Sequence, residues 1–353
     1  MTIGEVLQLV RPNIRQLTPY ASARSEFAGK ALVSLDANES PFDTGYNRYP
    51  DPLQRELKSR IAEIKGVASD KVFIGNGSDE PIDLLYRAFC VPGASAAILQ
   101  PPTYGMYEVS ANINDVAVVR VPLNEHFQPD VAKLLAAHDA KTRMLFICSP
   151  NNPTGNLASA QAIHEIIQNF KGIVVLDEAY IDFCPEATFL PELERYPNLV
   201  ILQTLSKAWG MAGLRVGIAL AHPLLIEVLN KIKPPYNLSQ VAQQHALVAL
   251  EDVAKKESRV GQLLQARREL IKGLQVLPLV EMVYPSDANF LLVKVKTPQD
   301  TYQYLLKQGI VLRDRSKVPG CEGCLRITVG LPEENDKLLQ AMATYTVETK
   351  VDL

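Results

Sequence analysis

The sequence predicts an α/β protein, with a large, doubly wound, mostly parallel sheet and a smaller C-terminal α/β domain. Two observations support this fold class. Short apolar runs alternate with helical patterns from about residue 71 onwards, as they do where helices connect parallel strands. Polar side chains follow several of these runs, and in doubly wound sheets the chemistry lies at the carboxyl ends of the strands. The 353 residues suffice for two or three domains.

Three regions are predicted along the chain. Residues 1–30 contain polar and proline-rich turns and are expected to form an N-terminal arm. Residues 31–240 are expected to form the large domain, which ends near a proline break at 233–237. Residues 241–353 are assigned to a long linking helix, extending over about 240–274, and to the small domain.

The individual elements are predicted from apolar spacing and from helix-start signals. A helix over 53–64 presents Leu53, Leu57, Ile61 and Ile64 on one face, and a helix over 79–89 begins with acidic residues followed by Pro81. A third helix is expected over 158–170. The strands of the large domain are predicted at 72–74, 97–99, 116–121, 144–148, 173–176, 199–202 and 216–220. The small domain is predicted to have strands at 289–293, 310–312 and 325–329 and helices at 299–306 and 333–345.

Composition and charge exclude several classes of function. The net charge of −3 and the absence of a Lys/Arg-rich block argue against nucleic-acid binding. No apolar run reaches the roughly 20 residues of a membrane span, and the first 15 residues lack the apolar core of a signal peptide. Five cysteines do not suggest a disulfide framework, and the C-x-x-C pair Cys321 and Cys324 has no partners for a zinc site. We therefore expect a cytoplasmic enzyme without a metal.

The segment 204–215 contains the strongest candidate for a reactive residue, Lys207, which lies between two strand-like apolar runs. Desolvation lowers the pKa of a lysine and makes its amine a nucleophile that can attack an aldehyde. The hydroxyls of Thr204 and Ser206 and the guanidinium of Arg215 suit a phosphate ester. Pyridoxal 5'-phosphate (PLP) carries both groups. Taken alone, the segment leaves a surface lysine in a Gly-containing loop as an open alternative.

Other predicted strand ends carry groups that suit the same cofactor. Asp177 could pair with a protonated pyridine nitrogen, and Tyr180 and Asn152 could donate to the ring oxygen. Tyr104 could stack on the ring, and the turn at 75–78 opens a helix whose free N–H groups suit an anion. For Asp177 a helix-capping role, and for Tyr104 simple packing, remain the alternatives.

Three motifs and one arginine resemble those of the fold-type I PLP-dependent aminotransferases, and the resemblance covers nearly the whole chain. The motifs are NPTG at 152–155, DEAY at 177–180 and SKAWG at 206–210, followed by Arg215. A second set resembles the histidinol-phosphate aminotransferases in particular: LTPY at 17–20, DANE at 36–39, RYP at 48–50, KPPYN at 233–237, SDANF at 286–290 and LRITVG at 325–330.

The resemblance implies a role for each matching residue. Lys207 would be the Schiff-base lysine and proton carrier, Asp177 would face the pyridine nitrogen, and Asn152 and Tyr180 would face the ring oxygen. Tyr104 would stack on the ring. The cofactor phosphate would lie among Gly77, Ser78, Asp79, Thr204, Ser206 and Arg215, with Tyr49 reaching it from the neighbouring subunit of a homodimer. Substrate would contact Tyr20, Asn38, Arg313 and Arg326, of which Arg326 would bind its carboxylate.

The implied activity is amino-group transfer between histidinol phosphate and 2-oxoglutarate or glutamate, in histidine biosynthesis. Since guanidinium groups accept carboxylate and phosphate alike, we expect Arg326 to serve both half-reactions and Arg313 to favour the phosphorylated partner. Three alternatives remain: an aromatic amino acid aminotransferase, a PLP-dependent lyase such as a threonine-phosphate decarboxylase, and a non-catalytic regulator. The presence of both Lys207 and Asp177 disfavours the regulator.

Overall fold

The computed structural model describes residues 1–20 and 33–345, which are organised around two β-sheets. Residues 21–30 of the predicted arm, the predicted boundary at residue 31 and the last residues of the small domain, 346–353, lie outside the described residues.

The larger sheet has seven strands in the order β1-β7-β6-β5-β4-β2-β3. Four neighbouring pairs, from β3 across to β6, are parallel, and only β7 runs antiparallel to both of its neighbours. The predicted fold class is therefore confirmed. The strands are β1 Val72–Asn76, β2 Ala96–Leu99, β3 Ala117–Arg120, β4 Thr142–Cys148, β5 Ile173–Asp177, β6 Leu199–Thr204 and β7 Val216–Ala221.

Helices cover both faces of this sheet. Every residue of β5, β6 and β7 is buried, as expected for strands that are covered on two sides. One apolar cluster includes Ile163 and Ile167, and the cluster on the other face includes Leu85 and Phe89. The helices are α1 Ile3–Gln8, α2 Pro12–Gln16, α3 Arg55–Lys65, α4 Asp79–Phe89, α5 Met106–Ile113, α6 Val131–Ala136, α7 Ala160–Asn169 and α8 Pro223–Ile232.

The C-terminal part contains a second, four-stranded sheet in the order β10-β11-β9-β8, in which all neighbouring strands are antiparallel. Its own apolar core includes Leu270, Leu291 and Leu338. The elements are α9 Gln240–Leu250, α10 Val253–Gln275, β8 Val280–Val283, β9 Phe290–Val295, α11 Pro298–Lys307, β10 Arg313–Asp314, β11 Cys324–Thr328 and α12 Pro332–Thr344.

Several elements differ from the sequence expectations: helices α5, α6 and α8 and strand β8 were not predicted, the strand expected at 310–312 is found at Arg313–Asp314, and two further differences concern the linking helix and the N-terminal arm. The predicted linking helix is interrupted at residues 251–252, where the Asp252 side chain accepts a hydrogen bond from Lys255 N (2.9 Å) and starts α10. Near the N-terminus, Val6 and Val10 are buried in the core cluster that contains Phe89, and Arg11 N donates to Ala88 O (2.9 Å). This part of the predicted arm packs on the large sheet domain because its apolar residues lie on one side of α1.

Candidate active site

A cleft of about 350 Å³ opens where the carboxyl ends of β4, β5 and β6 face the second sheet. Parallel strands place their C-terminal residues at one edge, so side chains that are distant in sequence meet there. Arg315, which the sequence analysis did not single out, also lines this cleft. The predicted site residues that line it are Ser78, Asp79, Tyr104, Asn152, Asp177, Tyr180, Thr204, Ser206, Lys207, Arg215, Arg313 and Arg326.

Asp177 is the last residue of β5, and its carboxylate is buried at the floor of the cleft. Tyr107 Oη donates to Asp177 Oδ2 (2.5 Å), and Ala179 N donates to Oδ1 (3.0 Å). Burial raises the pKa of Asp177, and the Tyr107 bond opposes that rise. The sequence did not indicate a role for Tyr107. Helix α5, which was not predicted, begins at Met106, and its first turn directs the Tyr107 side chain towards the end of β5.

Lys207 lies in the turn after β6, with its side chain open to the cleft. Its Nζ is 5.5 Å from the centre of the Tyr180 ring. Much of the Lys207 side chain is accessible to solvent. The walls of the cleft nevertheless desolvate its ammonium group in part, and this lowers the pKa of Lys207. The positive charge of Arg326 lowers it further. A larger fraction of the amine is therefore neutral than for a lysine in water.

Asn152, Tyr180 and Arg326 form a hydrogen-bonded chain that joins the two sheets. Arg326 Nη1 donates to Asn152 Oδ1 (2.6 Å), and Asn152 Nδ2 donates to Tyr180 Oη (3.4 Å). Burial raises the pKa of Tyr180, so its phenol stays protonated at neutral pH and can donate a hydrogen bond.

A second part of the cleft lies at the N-terminus of α4, where it presents groups suited to an anion. Gly77 has φ +70°, and its N–H donates to Arg215 O (2.7 Å). A Cβ at Gly77 would lie 2.3 Å from Arg215 Nη2, so the guanidinium can occupy this position only beside a glycine. Thr204 Oγ1 donates to Ser206 Oγ (3.0 Å) on the opposite side.

Asp79 connects this part of the cleft to Tyr104. Arg215 Nη2 donates to Asp79 Oδ2 (3.3 Å), and Tyr104 Oη donates to Asp79 Oδ1 (3.0 Å). The Tyr104 ring packs edge-on against Tyr107, with 5.5 Å between the ring centres. Burial and the Asp79 charge raise the pKa of Tyr104, so its hydroxyl remains a donor.

Four predicted site residues do not line this cleft in the single chain; one of them, Gly77, lies directly against the Arg215 guanidinium, which does line it. Tyr20 is largely exposed. Asn38 and Tyr49 line a separate surface groove, in which the Tyr49 ring stacks on Tyr236 with 4.4 Å between the ring centres. Within residues 1–20 and 33–345, no group of three His, Cys, Asp or Glu side chains is arranged to hold a metal ion. In the same residues, no helix has the length and apolar character to cross a membrane.

Comparison with known proteins identifies the family. Residues 32–342 match the model of aminotransferase class I and II. The histidinol-phosphate aminotransferase of Parabacteroides distasonis is 54% identical over 338 residues, which cover 96% of this chain and 98% of that protein. The solved histidinol-phosphate aminotransferase of Clostridium acetobutylicum aligns with a TM-score of 0.78 and 25% identity, over 85% of this chain and 90% of that one. The Sinorhizobium meliloti enzyme, solved in complex with pyridoxal-5'-phosphate, aligns with a TM-score of 0.75 and 24% identity, over 84% and 82%. The chain therefore belongs to the aminotransferase class I and II family, in which it groups with the histidinol-phosphate aminotransferases.

Proposed function

We propose that this protein is a PLP-dependent aminotransferase that moves an amino group between L-histidinol phosphate and 2-oxoglutarate, giving imidazole-acetol phosphate and glutamate in histidine biosynthesis. The observation that carries the proposal is the cleft itself. It combines a buried carboxylate, an accessible lysine with a lowered pKa, a glycine turn at a helix N-terminus that suits an anion, and four arginines.

The groups in the cleft match those of PLP one by one. The N-terminus of α4, Ser206 and Arg215 offer donors for its phosphate. Asp177 offers a buried carboxylate for the pyridine nitrogen, and a cationic ring would relieve the cost of burying that charge. Tyr180 and Asn152 offer donors for the ring oxygen. Bound PLP would supply an aldehyde that takes up the amino group and a ring that withdraws electrons from the reacting carbon.

The chain's own residues then have distinct tasks. Lys207 is a nucleophile and a proton carrier, because its lowered pKa leaves a larger fraction of the amine neutral, and so able to attack a carbonyl carbon or to take up a proton, than for a lysine in water. Asp177, oriented by Tyr107 and Ala179, holds its charge at one fixed place. Tyr180 keeps its proton and donates it in a hydrogen bond.

The substrate side of the cleft is positively charged. Arg313 and Arg326 come from opposite positions of the antiparallel pair β10–β11 and both face the cleft. Guanidinium groups bind carboxylate and phosphate in the same bidentate way, so one site can accept glutamate and histidinol phosphate in turn. We assign Arg326 to both half-reactions and Arg313 mainly to the phosphorylated partner.

The proposal includes a homodimer and a cytoplasmic location. Tyr49 and Asn38 lie on a surface outside the chain's own cleft, as expected for residues that complete the site of a second subunit. Tyr20 is assigned to the substrate phosphate in the assembled enzyme. All five cysteines are free and buried, which supports a reducing compartment.

The decisive experiment is a half-reaction followed by visible absorbance. The protein loaded with PLP is mixed with histidinol phosphate alone, and the cofactor is expected to convert from its aldehyde form to its amine form. Addition of 2-oxoglutarate should then reverse the change. The Lys207→Ala variant is the control and should lack the starting absorbance band of the lysine-bound cofactor.

Other outcomes would redirect the assignment. Conversion with phenylalanine or tyrosine but not with histidinol phosphate would indicate the aromatic aminotransferase. Release of carbon dioxide from a phosphorylated amino acid, without conversion of the cofactor by glutamate, would indicate the decarboxylase. An unaltered absorbance band in Lys207→Ala would contradict the role of Lys207.

A further inference from the structure

Arg315 enters the substrate cleft from the same strand segment as Arg313. In β10, Arg313 pairs with Arg326 of β11, and the hydrogen bond from Arg315 N to Cys324 O (2.9 Å) extends the ladder by one residue. Side chains alternate between the two faces of a strand, so residues 313 and 315 point to the same face, on which Arg326 also lies. All three guanidinium groups accordingly line the cleft.

The positive charge of this arginine cluster is not balanced by any carboxylate of residues 1–20 and 33–345. Among the described residues, none of the three arginines has a carboxylate in salt-bridge range. The two carboxylates that line the cleft have other partners, Arg215 for Asp79 and Tyr107 for Asp177. Arg315 Nε is buried and has no hydrogen-bond acceptor. Since the Arg315 side chain nevertheless lines the cleft, an anion bound there would accept hydrogen bonds from the cleft-facing part of its guanidinium group.

We propose that Arg315 is a specificity-determining residue, which together with Arg313 binds the doubly charged phosphate group of the amine substrate. The inference rests on the proposed function, since it concerns the substrate of the same cleft. A phosphate monoester carries a charge of about −1.5 to −2 at pH 7 and offers three acceptor oxygens, more than one guanidinium can satisfy. A carboxylate has a single charge, so the loss of Arg315 should weaken phosphate binding more than glutamate binding.

The test compares Arg315→Gln with two other variants of the PLP-loaded enzyme. We expect Arg315→Gln to raise KM for histidinol phosphate by about 10- to 100-fold, the usual effect of one lost charge-assisted hydrogen bond, and to change KM for histidinol by less than about threefold. Arg315→Lys should restore part of the affinity. Lys317→Gln, which removes an exposed positive charge two residues away from Arg315, should leave both KM values unchanged.

A second readout separates this inference from the proposed function. Inorganic phosphate is used as an inhibitor of the glutamate half-reaction, and its inhibition constant should rise by about 10- to 100-fold in Arg315→Gln. This measurement reports on Arg315 even if histidinol phosphate is not converted by the wild type, an outcome that would contradict only the proposed substrate. An unchanged inhibition constant, or equal KM increases for histidinol and histidinol phosphate, would overturn the role of Arg315.

Discussion

Tyr107 shows how one residue outside the sequence motifs can define the chemistry of the site. Its ring is completely buried and stacks on Phe146 with 4.7 Å between the ring centres. Its hydroxyl is therefore fixed, and it donates to Asp177 at 2.5 Å. Asp177 would otherwise be a buried carboxylate with a single donor, the N–H of Ala179. Tyr107 thus keeps Asp177 closer to its charged form, the form that would pair with a cationic ring.

We predict that Tyr107→Phe weakens PLP binding by about 10- to 100-fold, because removing a hydrogen bond to a charged group costs about 1.5–3 kcal/mol. The pKa of Asp177 should also rise in the variant, since the bond from Tyr107 is the largest contribution that lowers it. The affinity is measured by titrating the cofactor-free protein with PLP and following visible absorbance. Tyr86→Phe is a matched control, because it also removes a buried hydroxyl, which donates to the backbone oxygen of Tyr107 (2.9 Å). Equal affinities of the two variants would contradict the role assigned to Tyr107.

At the residue scale, the sequence identified those candidate site residues that lie at or just after the end of a strand. Asp177 follows the predicted strand 173–176, and Thr204 and Lys207 follow the predicted strand 199–202, so the sequence alone predicts that they meet at one edge of the sheet; in the structure Asp177 and Thr204 are the last residues of their strands. Tyr107 and Arg315 could not be found in this way. The contact of Tyr107 with Asp177 spans 70 residues, and the position of Arg315 depends on a two-residue strand that the sequence placed at 310–312.

Among the structural elements, the turn after β1 is held by close backbone packing. Gly75 and Gly217 face each other in the β1–β7 pair, and a Cβ at Gly217 would lie 2.1 Å from the carbonyl carbon of Gly77. Arg215 lies next to this turn, and its backbone is in the left-handed region, with φ +55°. The start of α4 and the guanidinium of Arg215 can share one anion because no side chain separates them.

We predict that Gly77→Ala weakens PLP binding by about tenfold or more, because its Cβ would displace the Arg215 guanidinium. Gly66→Ala is a matched control, since Gly66 has a similar φ of +66° and no atom within 4 Å of the added Cβ. Both variants should lose about 1–2 kcal/mol of stability through strain in the left-handed region. Urea unfolding measures the strain, and titration with PLP measures the affinity. The hypothesis fails if Gly66→Ala loses as much affinity as Gly77→Ala.

Glu178 connects the end of β5 to the segment that precedes β6. Its buried carboxyl group accepts hydrogen bonds from Phe189 N (2.7 Å), Thr188 Oγ1 (2.8 Å) and Gln203 Nε2 (2.8 Å). Burial nevertheless raises the pKa of Glu178 to about 7, because the cost of desolvating the charge exceeds the gain from three donors.

This raised pKa predicts a pH dependence of stability. The folded state holds the Glu178 proton more tightly than the unfolded state, so the stabilisation is complete below pH 4.5 and is lost as the pH rises to about 7. Relative to Glu178→Gln, whose amide does not titrate, the free energy of unfolding of the wild type should fall by about 3 kcal/mol over this interval. Urea unfolding of the cofactor-free proteins between pH 4.5 and 7.5 measures the difference. A difference that stays constant or grows with pH would refute the prediction.

At the element scale, the strands were easier to predict than the helices. Each of the seven strands of the large sheet was predicted, because each contains a short apolar run; in the central strands, which are covered on both faces, that run is nearly continuous. The helices α5, α6 and α8 were missed, and α5 and α6 are short, with six to eight residues. The helical pattern of 240–274 continues through the break at Asp252, so only the capping hydrogen bond of that aspartate reveals two helices.

On the scale of the whole molecule, the two sheets are joined at the site. Asp287 N donates to Gly155 O (2.8 Å), and Leu157 N donates to Asp287 Oδ2 (3.0 Å), so the segment before β9 is held against the loop after β4. The bond from Arg326 to Asn152 lies at the same junction. The arginines of the second sheet therefore line the same cleft as Asp177 and Lys207 of the first.

In the part of the chain that the structure describes, the segment 33–49 exposes several large apolar side chains. Leu35 is 91% exposed, Phe42 78% and Tyr46 71%, and Tyr46 lines the same surface groove as Tyr49. Exposed apolar patches mark interaction surfaces. In a symmetric dimer the same surface of each subunit contributes to the interface, so a residue of one subunit can complete the site of the other.

This arrangement predicts recovery of activity in a hybrid dimer of two defective subunits, Lys207→Ala and Tyr49→Ala. If Tyr49 acts across the interface, one site of the hybrid carries both defects and the other carries neither, so the hybrid should have about half of the wild-type activity per dimer. Two different affinity tags allow the hybrid to be purified away from both parent dimers, whose activities serve as the baseline. If Tyr49 acted within its own subunit, each subunit would keep one defect, and the hybrid would be no more active than the average of its parents. Because every hybrid contains the same two substitutions under either hypothesis, a loss of folding cannot produce the expected gain.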